Sequence, residues 1–321
     1  MRLNKFGLLV ATSVFVPLAL AGCSGGRSNG GGNNGGGSGD VPNLQAAVLT
    51  SGNEIAFFNL QTPNSISNVT VSDLSTGEEL VGLDFRFSPG NESGAMTGLY
   101  ALARSDSNDY RLYTIDNQGV ATPVGPSFEF PADFGTAIGF DFNPNVIIDG
   151  ERVDRIRVVS STGSNARLNP NTGAIVDSDS NIPDTQIDGD LAFAADDTNN
   201  GRTPRIAAAA YTNNDSDAST GTINYAIDSG TNSLVTQGRA SVGGDAGVSP
   251  NTGQLFTVGR LGITANTVNG FDIATSNNYA AFVSGRTVYN IDLSTGRARA
   301  IGNLGVSSGT NVRGFTLLPL T

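Results

Sequence analysis

One pattern returns along this chain and limits what it can fold into: a short alternating strand ending in an acidic or amide residue, a Thr-Gly-type turn, then a second strand. Leu112-Tyr113-Thr114-Ile115-Asp116 leads through Asn117-Gln118-Gly119 to Ala121-Thr122-Pro123-Val124-Gly125. Val288-Tyr289-Asn290-Ile291-Asp292 leads through Ser294-Thr295-Gly296 to Ala300-Ile301-Gly302. A third copy runs from Arg167-Leu168-Asn169 to Ala174-Ile175-Val176. A fourth opens at Ile223-Asn224-Tyr225-Ala226-Ile227-Asp228, and Ile55-Ala56-Phe57-Phe58-Asn59-Leu60 is a weaker fifth. Asx and glycine suit such turns because both tolerate left-handed backbone.

A second element, Gly-apolar-Asp-apolar, follows each hairpin. It stands at Gly82-Leu83-Asp84-Phe85, Gly139-Phe140-Asp141-Phe142 and Gly270-Phe271-Asp272-Ile273, with looser versions at Gly189-Asp190-Leu191-Ala192-Phe193 and Gly314-Phe315-Thr316-Leu317. The next unit then begins with a short apolar strand, as in Leu99-Tyr100-Ala101-Leu102, Ile206-Ala207-Ala208-Ala209 and Tyr279-Ala280-Ala281-Phe282. Units start near Ala47, Gly98, Arg155, Arg205 and Tyr279, so most periods are about 40–55 residues, the fourth being swollen by residues 236–262. Strand–turn–strand content at that period predicts an all-β fold, a β-propeller of five blades, with room in the spacing for a sixth. Closing the ring calls for Phe315-Thr316-Leu317-Leu318 to pair with Ala46-Ala47-Val48-Leu49, so that both termini share one blade. The propeller is expected to be a single domain over residues 44–321.

The chain begins differently. Met1-Arg2-Leu3-Asn4-Lys5 is basic, an apolar run follows to Ala19, and Leu20-Ala21-Gly22-Cys23 holds the one cysteine. A basic head, a short apolar core and small residues before the cut mark a secretory signal, here residues 1–22. The run includes Pro17 and is shorter than the roughly 20 apolar residues that span a bilayer. Leu-Ala-Gly-Cys resembles a lipobox, which implies that Cys23 is acylated (palmitate included) and becomes the first mature residue. Residues 23–43 then read as the lipidated cysteine and a Gly/Ser/Asn tether with an r.m.s. reach of roughly 20–25 Å. Ser24 after the cysteine differs from the aspartate of inner-membrane retention, which points to an outer-membrane lipoprotein.

Composition narrows the chemistry. The formal charge is −11, Lys5 is the sole lysine, and there is no histidine or tryptophan. Nucleic acid and anionic lipid both require a basic patch, so neither is an expected partner, and contact with the membrane is expected through the lipid alone. Without histidine or a free thiol there is no Ser-His-Asp triad, no Cys-His pair and no zinc site of the usual ligands. Carboxylates, hydroxyls, tyrosines and arginines remain, enough for glycoside chemistry or calcium binding.

Several stretches resemble a bacterial family of secreted and envelope proteins, domain-of-unknown-function family 4394. They include Gly98-Leu99-Tyr100-Ala101-Leu102, Gly139-Phe140-Asp141-Phe142-Asn143-Pro144, Val153-Asp154-Arg155-Ile156-Arg157-Val158-Val159 and Ala208-Ala209-Ala210-Tyr211-Thr212-Asn213. The resemblance runs from about Val81 to Gly302. It implies a fold and a location and brings no settled activity. The loop from Asn145 to Glu151 lengthens the family's link between Asn-Pro and Asp-Arg.

Two groups of residues stand out as sites. Asp154, Arg155 and Arg157 face Asn165 and Arg167 across an expected hairpin, where alternating guanidiniums either grip a carboxylate or sulfate ligand or form a salt-bridge ladder with Asp141 and Asp154. Asp84, Asp141 and Asp272 occupy equivalent places in successive units, where they either hold a hard cation such as Ca2+ or cap backbone amides. No other cofactor is expected. The acidic stretches at 177–179, 188–190, 196–197 and 215–217 lack the full calcium-loop spacing and read as solvated turns. The expected role is a binding or scaffold module for a protein or glycan. The alternative is a carboxylate-based enzyme acting on polysaccharide through acids such as Asp141 and Asp154.

Overall fold

The computed structural model describes residues 41–319, apart from 88–89, 91–95, 216, 218, 242–245, 267–268 and 276. The signal segment, Cys23 and the tether up to Asp40 lie outside the described residues. Residues Val41–Leu320 form one compact unit.

The first sheet contains β1 (Gln45–Thr50), β2 (Glu54–Asn59) and β3 (Ile66–Thr70). The second is β4 (Glu78–Arg86), β5 (Gly98–Ser105), β6 (Tyr110–Ile115) and β7 (Ala121–Phe128), and the third β8 (Ile138–Ile148), β9 (Glu151–Ser160) and β10 (Asn165–Leu168). The fourth holds β11 (Ala192–Phe193), β12 (Ile206–Tyr211), β13 (Asn224–Asp228), β14 (Ser233–Gln237) and β15 (Gln254–Arg260). The fifth is β16 (Asn269–Ile273), β17 (Ala280–Ser284), β18 (Thr287–Ile291) and β19 (Ala298–Asn303), after which β20 (Val312–Leu317) returns to β1.

These sheets form a five-bladed β-propeller. Neighbouring strands within each blade are antiparallel, except that the short β11 runs parallel to β15 at the edge of blade 4. The inner strands β20, β4, β8, β12 and β16 pack on one another in a closed ring. Blade 1 combines β20 from one end of the chain with β1–β3 from the other. Its register pairs Ala46 with Leu317, Ala47 with Thr316 and Val48 with Phe315, as the closure read from the sequence requires. Apolar clusters fill the wedges between blades, for example Val81, Tyr100, Leu112, Phe140, Phe142 and Ile156 between blades 2 and 3.

The Gly-apolar-Asp-apolar element turns out to be the inner strand, and it explains why each copy begins with glycine. A Cβ on Gly82 would lie 2.8 Å from the Phe140 Cβ of the next blade, and one on Gly139 would lie 2.8 Å from the Ala209 nitrogen. On four of the five inner strands glycine permits this close approach, at Gly82, Gly139, Gly270 and Gly314.

Blade 4 departs from the repeat as read from sequence. Its inner strand is β12, with Ala208-Ala209-Ala210-Tyr211 in the motif's place. Gly189-Asp190-Leu191-Ala192-Phe193 lies at the blade's outer edge beside β15. Both runs are short and apolar, and β12, buried on both faces, loses the alternation that would have distinguished it.

Candidate functional site

Glycine and aspartate of each motif lie two residues apart on one face of the inner strand, and that face meets the next blade. Oδ2 of Asp84 accepts the Phe142 amide of blade 3 at 2.9 Å, and Oδ2 of Asp141 accepts the Tyr211 amide of blade 4 at 2.8 Å. Oδ2 of Asp272 accepts the Leu317 amide of blade 1 at 2.6 Å, and Oγ1 of Thr316 accepts the Phe85 amide of blade 2 at 3.1 Å. Four of the five seams are thus stitched by the same bond. At the fifth, Ala210 replaces the acceptor, and the Ile273 amide turns to its own Asp272 Oδ1 at 2.5 Å.

The ring brings Asp84, Asp141 and Asp272 together, with a carboxylate oxygen of each within 4.8 Å of the others. Oγ1 of Thr316 lies 2.9 Å from Asp84 Oδ1 and 3.2 Å from Asp272 Oδ2. All three carboxyls are 1–2 % exposed. Burial pushes Asp84 up to about 6. Burial first, then the Asp84 charge, lifts Asp141 and Asp272 well above the usual carboxylate range. Fully ionised, such a trio would suit a hard cation. Carrying protons, it is an amide-capping clasp between blades.

The arginines gather elsewhere, between blades 3 and 4. Arg157 on β9 stands opposite Arg167 on β10. Nη1 of Arg157 donates to Asp188 Oδ2 at 2.5 Å and to Asn165 Oδ1 at 2.8 Å, Nε to the Tyr211 hydroxyl at 3.2 Å, and Nη2 to Asn251 Oδ1 at 2.7 Å. Arg167 forks onto the same carboxylate, Nε to Oδ2 and Nη2 to Oδ1, both at 2.8 Å. Burial acts against the Arg157 charge, yet Tyr211 and Asp188 more than offset it and hold its pKa above the ordinary value. Asp188, read from sequence as a solvated turn, is 4 % exposed and serves as their shared counter-ion. Its position in the irregular stretch between β10 and β11 left no periodic signal to find it by.

Asp154 points the other way along β9. Arg86 grips it through Nε and Nη2 at 2.6 and 2.7 Å, the Gly90 amide adds a bond at 2.9 Å, and Arg86 Nη1 reaches the Tyr100 hydroxyl at 3.1 Å. The pair joins blades 2 and 3. The salt-bridge partners are therefore Arg86 with Asp154 and Arg157 with Asp188, while Asp141 belongs to the axial trio. Arg155 donates Nη1 to the Asp154 carbonyl at 2.7 Å.

Arg155, Arg157, Arg167 and Tyr211 line a cavity of about 260 Å³, completed by Asn143, Asn145, Val146, Ile147 and the 249–251 turn. The β8–β9 hairpin forms one wall. A register shift between Asn143 and Val146 bends it, Arg152 Nη1 fastens the bend to the Pro144 carbonyl at 2.8 Å, and Asn145 Nδ2 reaches the Thr220 carbonyl at 2.5 Å. This is the link expected from sequence to be lengthened, and its tip leaves Ile147 and Ile148 exposed.

Among solved structures, the chain is similar to the major allergen Mala s 1 of Malassezia sympodialis at 11 % identity, covering 82 % of this chain and 83 % of that one with a TM-score of 0.39. A candidate 6-phosphogluconolactonase from Bacteroides fragilis aligns at 12 % identity over 89 % of this chain and all of that one, with a TM-score of 0.38. BBS1N, crystallised with ARL6DN, aligns at 14 % identity and a TM-score of 0.39 over 79 % of this chain, which spans 62 % of that one. No curated protein matches. A family model described as a domain of unknown function, DUF4394, matches residues 54–316.

Proposed function

The chain belongs to the DUF4394 family, and from that premise we propose that it is a binding module of the cell envelope, held at the outer membrane by a lipid on Cys23, with its ligand seated in the arginine-lined cavity. The observation that carries this reading is the cavity itself: about 260 Å³, walled by side chains already fixed by hydrogen bonds and ion pairs. Small-molecule sites are concave and largely pre-formed, with a few placed polar groups that set orientation.

The enzyme alternative fares worse on geometry. Glycoside hydrolysis requires two carboxyl groups flanking a bond in an accessible cleft, roughly 5–9.5 Å apart. Asp141 and Asp154 are each 1 % exposed, one clasped in the axial trio and the other gripped by Arg86. No carboxylate lines the cavity among the described residues.

The test is a thermal-shift panel of neutral sugars, sugar acids and short peptides on the parent and on Val146→Trp, which fills the cavity from its hairpin wall. A ligand that raises the parent's Tm and leaves the folded variant unmoved is the expected result. If every stabilising ligand acts equally on both proteins, the cavity is not the site.

A further inference from the structure

We infer that the ligand of this cavity is a small hydroxycarboxylate of the sugar-acid class, with its carboxylate on the free Nη1 of Arg167 beside the buried Arg157 charge; the inference rests on the cavity being the binding site proposed above. Charge is the first ground. Two guanidiniums share one carboxylate, Asp188, at 2.5 and 2.8 Å, so the trio carries one net positive charge although Arg157 and Asp188 are almost wholly buried. A desolvated cation is stable beside an anion or a dense set of acceptors, and a planar guanidinium fork matches a carboxylate.

Unused donors are the second ground. Arg167 employs Nε and Nη2 on Asp188, and its Nη1 meets no protein acceptor among the described residues. The same holds for Nδ2 of Asn143 and of Asn251 and for the Tyr211 hydroxyl proton, whose oxygens already accept bonds from Asn145, Arg157 and Thr222. The lining therefore offers several donors and asks for oxygen acceptors.

One group asks for the reverse. Oδ1 of Asn145 is buried and has no donor. A ligand hydroxyl supplies one, whereas a bare oxyanion does not. Val146, Ile147 and Pro250 add an apolar wall suited to the C–H face of a sugar ring. At about 260 Å³ the cavity falls just below the roughly 300–1,000 Å³ of drug-sized pockets, which fits a single ring.

Titration calorimetry on the purified full-length protein, with galacturonate, galactose, sulfate and polygalacturonate, tests this. Galacturonate is expected to bind, and galactose to bind about tenfold more weakly or worse. Arg167→Gln should erase that preference, and Arg167→Lys, which keeps the charge without the fork, should not restore it. If Arg167→Gln fails to fold, Asn143→Asp, which places a like charge in the lining, should give the same loss. Binding of the polymer alone supports the class and places the acid at a polysaccharide end; binding of the free acid identifies a soluble metabolite. Equal affinity for galactose and galacturonate, with both lost in Val146→Trp, overturns the acid and leaves the cavity standing. Sulfate competing as well as galacturonate overturns the sugar. Failure of both galacturonate forms to bind overturns the inference, and the Val146→Trp panel then judges the cavity independently.

Discussion

At the hub of the ring, three carboxyl groups sit where water cannot screen them. Their unfolded forms titrate near 3.9, whereas burial holds Asp84 at about 6 and the other two higher than usual. Between these limits the folded protein binds more protons than the unfolded chain, so stability falls as pH rises from about 4 through 6 and beyond. Tm should accordingly be higher at pH 5 than at pH 8. Asp141→Asn keeps an acceptor oxygen for the Tyr211 amide and removes one charge, so it should raise Tm at pH 8 and flatten the slope. A melting series in which the variant keeps the parent's pH profile would contradict this origin. Sequence placed the three aspartates in equivalent positions because the motif repeats visibly. It missed Asp188, since an acid far along the chain from Arg157 in a stretch without periodicity looks like any exposed turn.

Strands were most readable where a polar residue or turn motif marked their place, as in β16 and β17 despite their full burial, and least where small apolar residues carried no such mark. The β17–β18–β19 run declared itself through Tyr289, Asn290 and the Asp292 turn, where Ser294 and Thr295 amides bond the Asp292 carboxylate. β12 did not, because a strand of small apolar residues buried throughout can occupy either of two places in a blade. β20 was legible as the closing strand, since the chain had a spare copy of the motif at one end and an unmatched apolar strand at the other. β20 also supplies Thr316, whose hydroxyl meets two of the hub carboxyls and accepts the Phe85 amide. Deleting residues 312–321 should therefore open both neighbouring seams and the blade it completes, unfolding the domain as a unit rather than trimming a tail. A truncated protein that melts where the parent does would refute the ring's dependence on this strand.

Across the whole molecule, the acidic net charge and the buried cations divide the labour. The chain carries −11 overall, while Arg86, Arg155 and Arg157 are buried between blades. A negative exterior repels acidic surfaces, and the proposed cavity site would owe its selectivity to the geometry of its lining. The proposed lipid anchor belongs to this scale as well. Replacing Cys23 by Ser is expected to move the protein from the membrane fraction to the soluble one, or to stall its processing. Retention in the membrane fraction at the parent's level would refute lipid attachment.

The shared first blade has a mechanical side. The chain enters the propeller at β1, which is held along its length by β2 on one flank and β20 on the other. A load arriving through the tether would pull β1 lengthwise against two rows of hydrogen bonds at once. Such loading shears many bonds together instead of peeling them singly. The proposed lipid anchor would thereby hold the domain by a strand that resists extraction, and the strand that grips it from the far side, β20, is the last of the described strands.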